Sequence, residues 1–367
     1  MKKKIVITGI RGLPAHHGGF ETFAEKLALE LVKRGWTVKV YCQKIGPKKI
    51  STSFWKGIFC INIFIPNDGS LSTIFFDFKA IVNSLRYREY IVLTFGYNTA
   101  FINVLYRLFG IKNIINMDGI EWKRKRWSYT IKIWFYLNEK IAKYFSTHMI
   151  ADHPEIKKHL NYFNFFSKKI TVIPYGADLL NVKTSNNFLQ YNLKKDQYAI
   201  LIARPVPENS ILEIVNSFTA KDRSVDLLIL GDYKSDDTYH KQVLDQANEK
   251  VIFAGAIYDK KTLNELRSNA LFYIHGHTVG GTNPALVEAL GAGQAIIAHD
   301  NKFNRYVAKS AALYFDNEKS LGNVFDKLIN NKKLINTLRM NAKRQFLDNY
   351  QWDTIIDQYE ELLLKYL

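Results

Sequence analysis

The chain has 367 residues, 47% of them hydrophobic and 14% aromatic, and a formal net charge of +17. A single core stops growing near ~250 residues, so this length favours two domains, and the composition excludes the disordered and fibrous classes. Two cysteines, Cys42 and Cys60, cannot build a disulfide framework or a cysteine-only zinc site, which suits a reducing compartment.

Lys2, Lys3 and Lys4 precede an apolar run that is too short for a signal peptide and breaks at Arg11 and Gly12. Residues 4–9 are therefore expected to form a first β-strand. A loop over 11–19 follows, and then Phe20, Phe23, Ala24, Leu27, Ala28 and Leu31 recur at helical spacing. Gly35 supplies a stop before a strand at 37–41. In this βαβ unit Gly18 and Gly19 open the helix ahead of Glu21, so unobstructed amides can face an anion; a plain helix start after a flexible loop is the bland reading. Further strands are expected at 59–65, 91–94, 113–117 and 148–151, with helices between them. The most apolar stretch, 99–110, is interrupted by Arg107 and falls short of the ~20 residues a spanning helix needs.

Charge is unevenly placed. Residues 1–175 hold 28 Lys and Arg against 11 Asp and Glu, whereas 176–367 hold 23 of each. Scattered lysines solvate any surface. The segment Trp122-Lys123-Arg124-Lys125-Arg126-Trp127, followed by an aromatic-rich helix, instead suits an anionic membrane surface. Nucleic acid would attract the same charge, but no nucleic-acid module presents it.

Past an Asn- and Lys-rich stretch at 176–197 the alternation resumes, with strands expected at 198–203, 226–231, 251–254, 271–275 and 295–298. Both halves thus read as parallel sheets covered by helices, an α/β class with two Rossmann-like domains. The boundaries are 1–175 and 176–344, and a long amphipathic helix over 341–367 is expected, packing from about 345 back on the first domain. In such sheets ligands sit beyond the carboxyl ends of the strands. Arg204 stands at one such end, where a guanidinium can hold phosphate oxygens. His275-Gly-His277-Thr-Val-Gly280-Gly281-Thr282-Asn283-Pro284 runs from another strand end into a helix, and Glu288 lies one turn inside that helix.

These motifs resemble family 4 of the retaining GT-B glycosyltransferases. Arg11-Gly-Leu-Pro14, Gly18-Gly-Phe-Glu-Thr22, Asn116-Met-Asp-Gly-Ile-Glu-Trp122, Val206-Pro-Glu-Asn209 and the late glycine turn look more narrowly like bacterial rhamnosyltransferases of capsule, O-antigen and cell-wall polysaccharide synthesis. The resemblance implies two domains facing across a cleft and a nucleotide-sugar donor. Gly18, Gly19 and Glu21 would approach the donor, and His275, Gly280, Gly281, Thr282 and Asn283 would meet the diphosphate and hexose. It further implies that Arg204 binds phosphate, Glu288 the ribose, and Asp118 the transferred sugar or acceptor; a turn aspartate is the alternative for Asp118. The first glutamate of the family's E-x7-E pattern falls on Gly280, and its phosphate lysine falls on Asn209. With no Asp-x-Asp motif, no metal and no cofactor are expected. The implied reaction moves L-rhamnose from dTDP-rhamnose, with retention, onto an undecaprenyl-diphosphate-type saccharide at the inner face of the cytoplasmic membrane. The basic segment from Lys123 to Trp127 would lie on the acceptor side. A UDP-sugar hexosyltransferase is the alternative. An NAD(P)-dependent dehydrogenase or epimerase is more distant, because the loop through His16 and His17 delays the helix and no acidic residue ends the second strand.

Overall fold

The computed structural model describes residues 2–15, 18–48, 50–162, 165–180 and 187–367. The chain divides into two units, Met1–Tyr175 with Trp352–Leu367, and Gly176–Gln351.

In the first unit the elements run β1 (Lys4–Thr8), α1 (Gly19–Lys33), β2 (Thr37–Ile45), β3 (Ser51–Trp55), β4 (Ile58–Ile65), α2 (Ser70–Ser84), β5 (Ile91–Phe95), α3 (Ala100–Leu108), β6 (Asn113–Asn116), α4 (Tyr129–Phe145), β7 (His148–Ala151), α5 (Pro154–Leu160) and β8 (Ile170–Val172). The sheet order is β3-β4-β2-β1-β5-β6-β7-β8, parallel throughout except for the β3–β4 hairpin. Strands such as Ile5-Val6-Ile7 and Ile91-Val92-Leu93 are apolar on both faces because helices cover both. On one face α1 buries Phe23, Ala24, Leu27, Ala28 and Leu31; its end is closed by Gly35 at φ 81, with the Trp36 N–H donating to the Leu31 carbonyl. The other face holds a second core of Val6, Tyr41, Ile61, Phe76, Val92 and Tyr106.

The second unit runs β9 (Tyr198–Ile202), α6 (Ile211–Thr219), β10 (Asp226–Leu230), α7 (Thr238–Asp245), β11 (Val251–Gly255), α8 (Lys260–Asn269), β12 (Phe272–His275), α9 (Pro284–Gly291), β13 (Ala295–His299), α10 (Lys302–Ala308), β14 (Ala312–Phe315), α11 (Glu318–Ile329) and α12 (Lys332–Asn349). Its sheet is wholly parallel, in the order β11-β10-β9-β12-β13-β14. This is the doubly wound order 3-2-1-4-5-6, whose direction reverses between β9 and β12.

The single long terminal helix expected from periodicity is two helices. α12 stops at Asn349, Tyr350 and Gln351 break the run, and α13 (Trp352–Leu364) belongs to the first unit. The break has a packing cause: Phe346 and Tyr350 are buried in the second unit's core, whereas Trp352, Ile355, Ile356 and Tyr359 are buried with Phe23 in the first. Glu360 fastens α13 further, accepting from Lys3, Arg34 and the Trp36 indole at 2.8–3.0 Å. Among the described residues no helix is long and apolar enough to cross a membrane.

Candidate functional site

In the first unit, β1 and β5 flank the point where strand order reverses, and their carboxyl-end loops are in contact. A Cβ on Gly9, at φ 79, would lie 2.2 Å from the Phe95 carbonyl oxygen, so only glycine fits. The loop beyond is tied down at several points. Arg11 N–H donates to Glu21 Oε1 at 3.1 Å, Ala15 N–H to Glu25 Oε2 at 2.7 Å, and Leu13 N–H to Cys42 Sγ at 3.4 Å. Glu21, expected against the donor, thus spends one carboxylate oxygen on shaping this loop. Gly18 precedes α1 at φ 147 and, with Gly19, starts the helix without a side-chain cap among the described residues; His16 and His17 lie outside them.

Asp118 follows β6 at φ 52, a conformation that a non-glycine residue adopts at a cost of order 1–3 kcal/mol. Its N–H donates to Asn116 Oδ1 at 3.1 Å, and Asn116 in turn donates to the Tyr359 hydroxyl at 2.8 Å. Buried Tyr97, from the loop after β5, donates to the Gly119 carbonyl and accepts from the Glu121 N–H. Burial, reinforced by the Glu121 charge, pushes the Asp118 carboxyl up to about 6, while Arg124, the Gly119 amide and Arg126 act against it.

The basic segment is tied in part to buried acids. Glu121 is buried, and it accepts from Arg124 at 2.5 Å, Arg126 at 3.5 Å and the Trp127 indole at 3.2 Å. Trp122 donates its indole N–H to buried Glu139 at 2.8 Å. Two of the four cations and both indoles therefore serve an internal carboxylate cluster, and Lys123 and Lys125 are the cations left outside it. A pattern of alternating charge and aromatic residues cannot reveal this, because it omits the acidic partners that draw side chains inward.

In the second unit the reversal point lies between β9 and β12, and the loops after these strands are locked together. A Cβ on Gly276 would sit 2.1 Å from the Asn209 carbonyl oxygen, and Thr278 donates both its N–H and its hydroxyl to the Glu208 carbonyl at 2.9 Å. Asn209, at the position of the missing lysine, is buried and donates to the Arg204 carbonyl at 2.8 Å. His240 accepts the Lys234 N–H at Nδ1 and donates from Nε2 to the Pro205 carbonyl at 2.8 Å. The strand end carrying Arg204 is thereby held from two sides.

His275 is fully buried, stacked on His277 with centroids 4.3 Å apart, and burial together with His277 and His299 holds its basicity far below the usual imidazole value. It is a neutral ring at physiological pH. Asn301 and Asn304 donate to the His277 carbonyl at 3.0 and 2.9 Å, fixing the start of the glycine turn. Gly280 has φ 133, Thr282 is buried, and Asn283 caps α9 by accepting the Ala285 N–H at 3.0 Å, with Pro284 in the first turn.

Glu288, in the second turn of α9, accepts from Arg267 of α8 at 2.5 Å. The Arg267 side chain is 2% exposed and that of Glu288 is 39% exposed, so one end of the pair is anchored in the core and the other reaches solvent. Sequence reasoning did not single out Arg267; its only sequence signal is a cation in an otherwise ordinary amphipathic helix. Arg204 follows the carboxyl end of β9, the glycine turn follows that of β12, and Glu288 lies in the second turn of the helix that this turn opens. Among the described residues no group of three or more His, Cys, Asp or Glu side chains is placed to hold a metal.

Residues 2–178 match a family described as a domain of unknown function (DUF1972), and residues 184–345 match the Glycosyl transferases group 1 family. No curated protein sequence matches the chain significantly. Among solved structures, the fold is similar to sucrose-phosphate synthase from Thermosynechococcus elongatus, with TM-score 0.81 and 17% identity over 100% of this chain and 99% of that one. It is also similar to Anabaena HepE in complex with UDP-glucose, with TM-score 0.76 and 14% identity over 100% of both chains. An E. coli trehalose-6-phosphate structure bound with UDP-2-fluoro glucose gives TM-score 0.74 and 9% identity over 98% of both. The fold is GT-B, two Rossmann-like units.

Proposed function

We propose that this glycosyltransferase takes a hexose from a nucleoside-diphosphate sugar held at the second unit's strand-order reversal, and passes it to a lipid-linked saccharide. The observation that supports the reading is the contact between the loop that carries Arg204 and the loop that leads into the glycine turn, with Glu288, paired to Arg267, in the helix that the turn opens. A guanidinium and helix-start amides stabilise the negative charge that develops on a departing diphosphate. The partly exposed Glu288 carboxylate suits the 3′-hydroxyl of the nucleotide's pentose, which a deoxyribose and a ribose both carry. In this reading charge on the leaving group is met by protein groups alone, with no metal ion and no cofactor, and Asp118 of the first unit contacts the sugar or its acceptor.

The donor we favour is dTDP-L-rhamnose, transferred with retention in capsule, O-antigen or cell-wall polysaccharide synthesis. Its support is the set of motifs from Arg11-Gly-Leu-Pro14 to the late glycine turn. The acceptor would be an undecaprenyl-diphosphate-type saccharide at the inner face of the cytoplasmic membrane, with the enzyme held there peripherally. A UDP-hexose is the second reading, favoured by two structures of similar fold that hold UDP-glucose and UDP-2-fluoro glucose.

The test is turnover of dTDP-, UDP- and GDP-sugars with and without a lipid-diphosphate saccharide, in the presence of a chelator. Wild type should release one nucleoside diphosphate selectively, and Arg204→Ala should lower kcat by about 10²-fold or more, the scale of losing one charge-stabilising donor. If Arg204→Ala and Glu288→Ala both turn over at wild-type rate, the assigned site is wrong. If a UDP-sugar alone is used, the rhamnosyl assignment falls and the hexosyl reading stands.

A further inference from the structure

The outer surface of the first unit carries apolar side chains that neither of its cores uses. On α2, Leu71, Phe75, Phe78 and Val82 recur at i, i+4, i+7 and i+11, a single outward stripe, and all four are exposed, Leu71 by 82%. The opposite stripe of the same helix, Phe76, Ala80, Ile81 and Ser84, is buried. A helix that is apolar on both faces has one more apolar face than folding requires.

The neighbouring helices extend the surface. α3 is joined to α2 by the Thr99 hydroxyl donating to Asp77 and by paired hydroxyls of Ser84 and Tyr106, and to α4 by the rings of Phe101 and Trp134, 5.2 Å apart. Leu108 of α3 and Tyr129 of α4 stand outward, 72% and 77% exposed.

Charge identifies the occupant. Between residues 70 and 145 the exposed cations are Arg86, Arg88, Arg107, Lys112, Lys123, Lys125 and Arg126. Over that span Glu89 is exposed and paired with Lys4 at 2.6 Å, and just before α2 Asp68 is exposed and paired with Arg11 at 3.2 Å. Glu121 and Glu139 are buried and engaged within the unit, and Asp77 and Asp118 are half-buried. Cationic heads also lie against rings of this surface, Lys79 over Phe75 at 4.3 Å and Lys140 over Tyr136 at 4.8 Å. A second copy would bring the same excess of cations against itself, although Lys112 among them is spent on the Tyr366 and Leu367 carbonyls. A bilayer with anionic headgroups offers both the apolar depth and the opposite charge.

We propose that the outward face of α2, with α3 and α4 beside it, is the surface on which the protein rests on an anionic lipid bilayer, Phe75 and Phe78 entering the headgroup layer. The inference deepens the reading of a lipid-linked acceptor, and it moves the anchor from the Lys123 to Trp127 segment to α2.

The experiment is co-sedimentation of the full chain with vesicles of phosphatidylcholine alone and of phosphatidylcholine with phosphatidylglycerol, alongside sedimentation velocity without lipid. Wild type should pellet with the anionic vesicles and far less with the neutral ones. Phe75→Ser with Phe78→Ser should weaken that binding by about tenfold or more, since two apolar side chains leave the interface, with circular dichroism and nucleoside-diphosphate binding unchanged. Neutralising Lys123 and Lys125 should weaken it less. Vesicle binding by the double variant equal to wild type would overturn the proposal. So would a wild-type dimer that Phe78→Ser dissociates, or equal binding to both vesicle types. Loss of nucleotide binding in Arg204→Ala speaks to the catalytic assignment and leaves this one untouched.

Discussion

Asp118 combines two costs, a left-handed backbone at φ 52 and a carboxyl displaced upward to about 6. A folded-state value above the ordinary ~3.9 of an aspartate means that the native protein holds this proton to higher pH than the unfolded chain does. Its contribution to stability is therefore fully present below about pH 4 and is lost as pH rises through 6. Asparagine tolerates the same backbone conformation and carries no charge to desolvate. Asp118→Asn should thus match wild type in urea unfolding at about pH 3.5 and exceed it at about pH 7.5. A gap that is equal at both pH values would show that the carboxyl is ordinary. Asp77 is also pushed up to about 6 by burial, but it is present in both proteins and cancels from the comparison. If Asp118 touches the sugar, the same variant loses turnover while gaining stability, the pairing expected of a strained functional residue.

At the scale of elements, glycines at the strand ends control how closely the loops approach. The φ of Gly276 lies outside the left-handed range, so its requirement is purely steric: an added Cβ would meet the Asn209 carbonyl oxygen at 2.1 Å and Ile214 Cδ1 at 2.8 Å. The contact is to backbone, which cannot rotate away. Gly276→Ala should therefore push the β12 loop off the β9 loop, breaking both Thr278 bonds to the Glu208 carbonyl. Each such net bond contributes ~0.5–1.5 kcal/mol, so the variant should melt several degrees lower and bind nucleoside diphosphate about tenfold more weakly or worse. Calorimetry with and without nucleotide measures both, and an alanine that binds and melts as wild type would show that the loops part freely.

Elements were also where sequence was most and least legible. Long two-sided apolar runs such as Ile91-Val92-Leu93 announce central parallel strands, and those were placed. The edge strand β3, Ser51–Trp55, is polar and exposed, and β8 and β14 have only three and four residues; none offers a periodic signal. The break at Tyr350 was hidden because the apolar positions before and after it keep helical spacing while belonging to different cores. Within the site, strand-end position pointed to Arg204 and the glycine turn into α9 to Glu288, but Arg267, Tyr97 and Glu121 act through contacts made only after folding.

For the whole molecule, the last helix decides where the first unit's core is completed. Phe23 of α1 packs against Trp352 and Tyr359 of α13, with centroids 5.4 and 4.9 Å apart, although more than 300 positions separate them in the chain. Ile355 is fully buried in the same cluster, and no residue of α13 enters either core of the second unit. Truncating a buried isoleucine to alanine costs about 2–5 kcal/mol, the transfer term plus the cavity left behind. Ile355→Ala should therefore loosen a region defined by space and not by sequence proximity. Hydrogen exchange should show lost protection in α1 and at β1, hundreds of residues away. Protection in α12, which directly precedes α13, should change less, because Phe346 and Ala342 are held in the other unit. If protection falls first in α12 and spares α1, then α13 is an appendage of the helix before it. If α1 responds first, the C-terminal segment is a structural part of the N-terminal unit, and chain ends distant in sequence must meet before that unit's fold is complete.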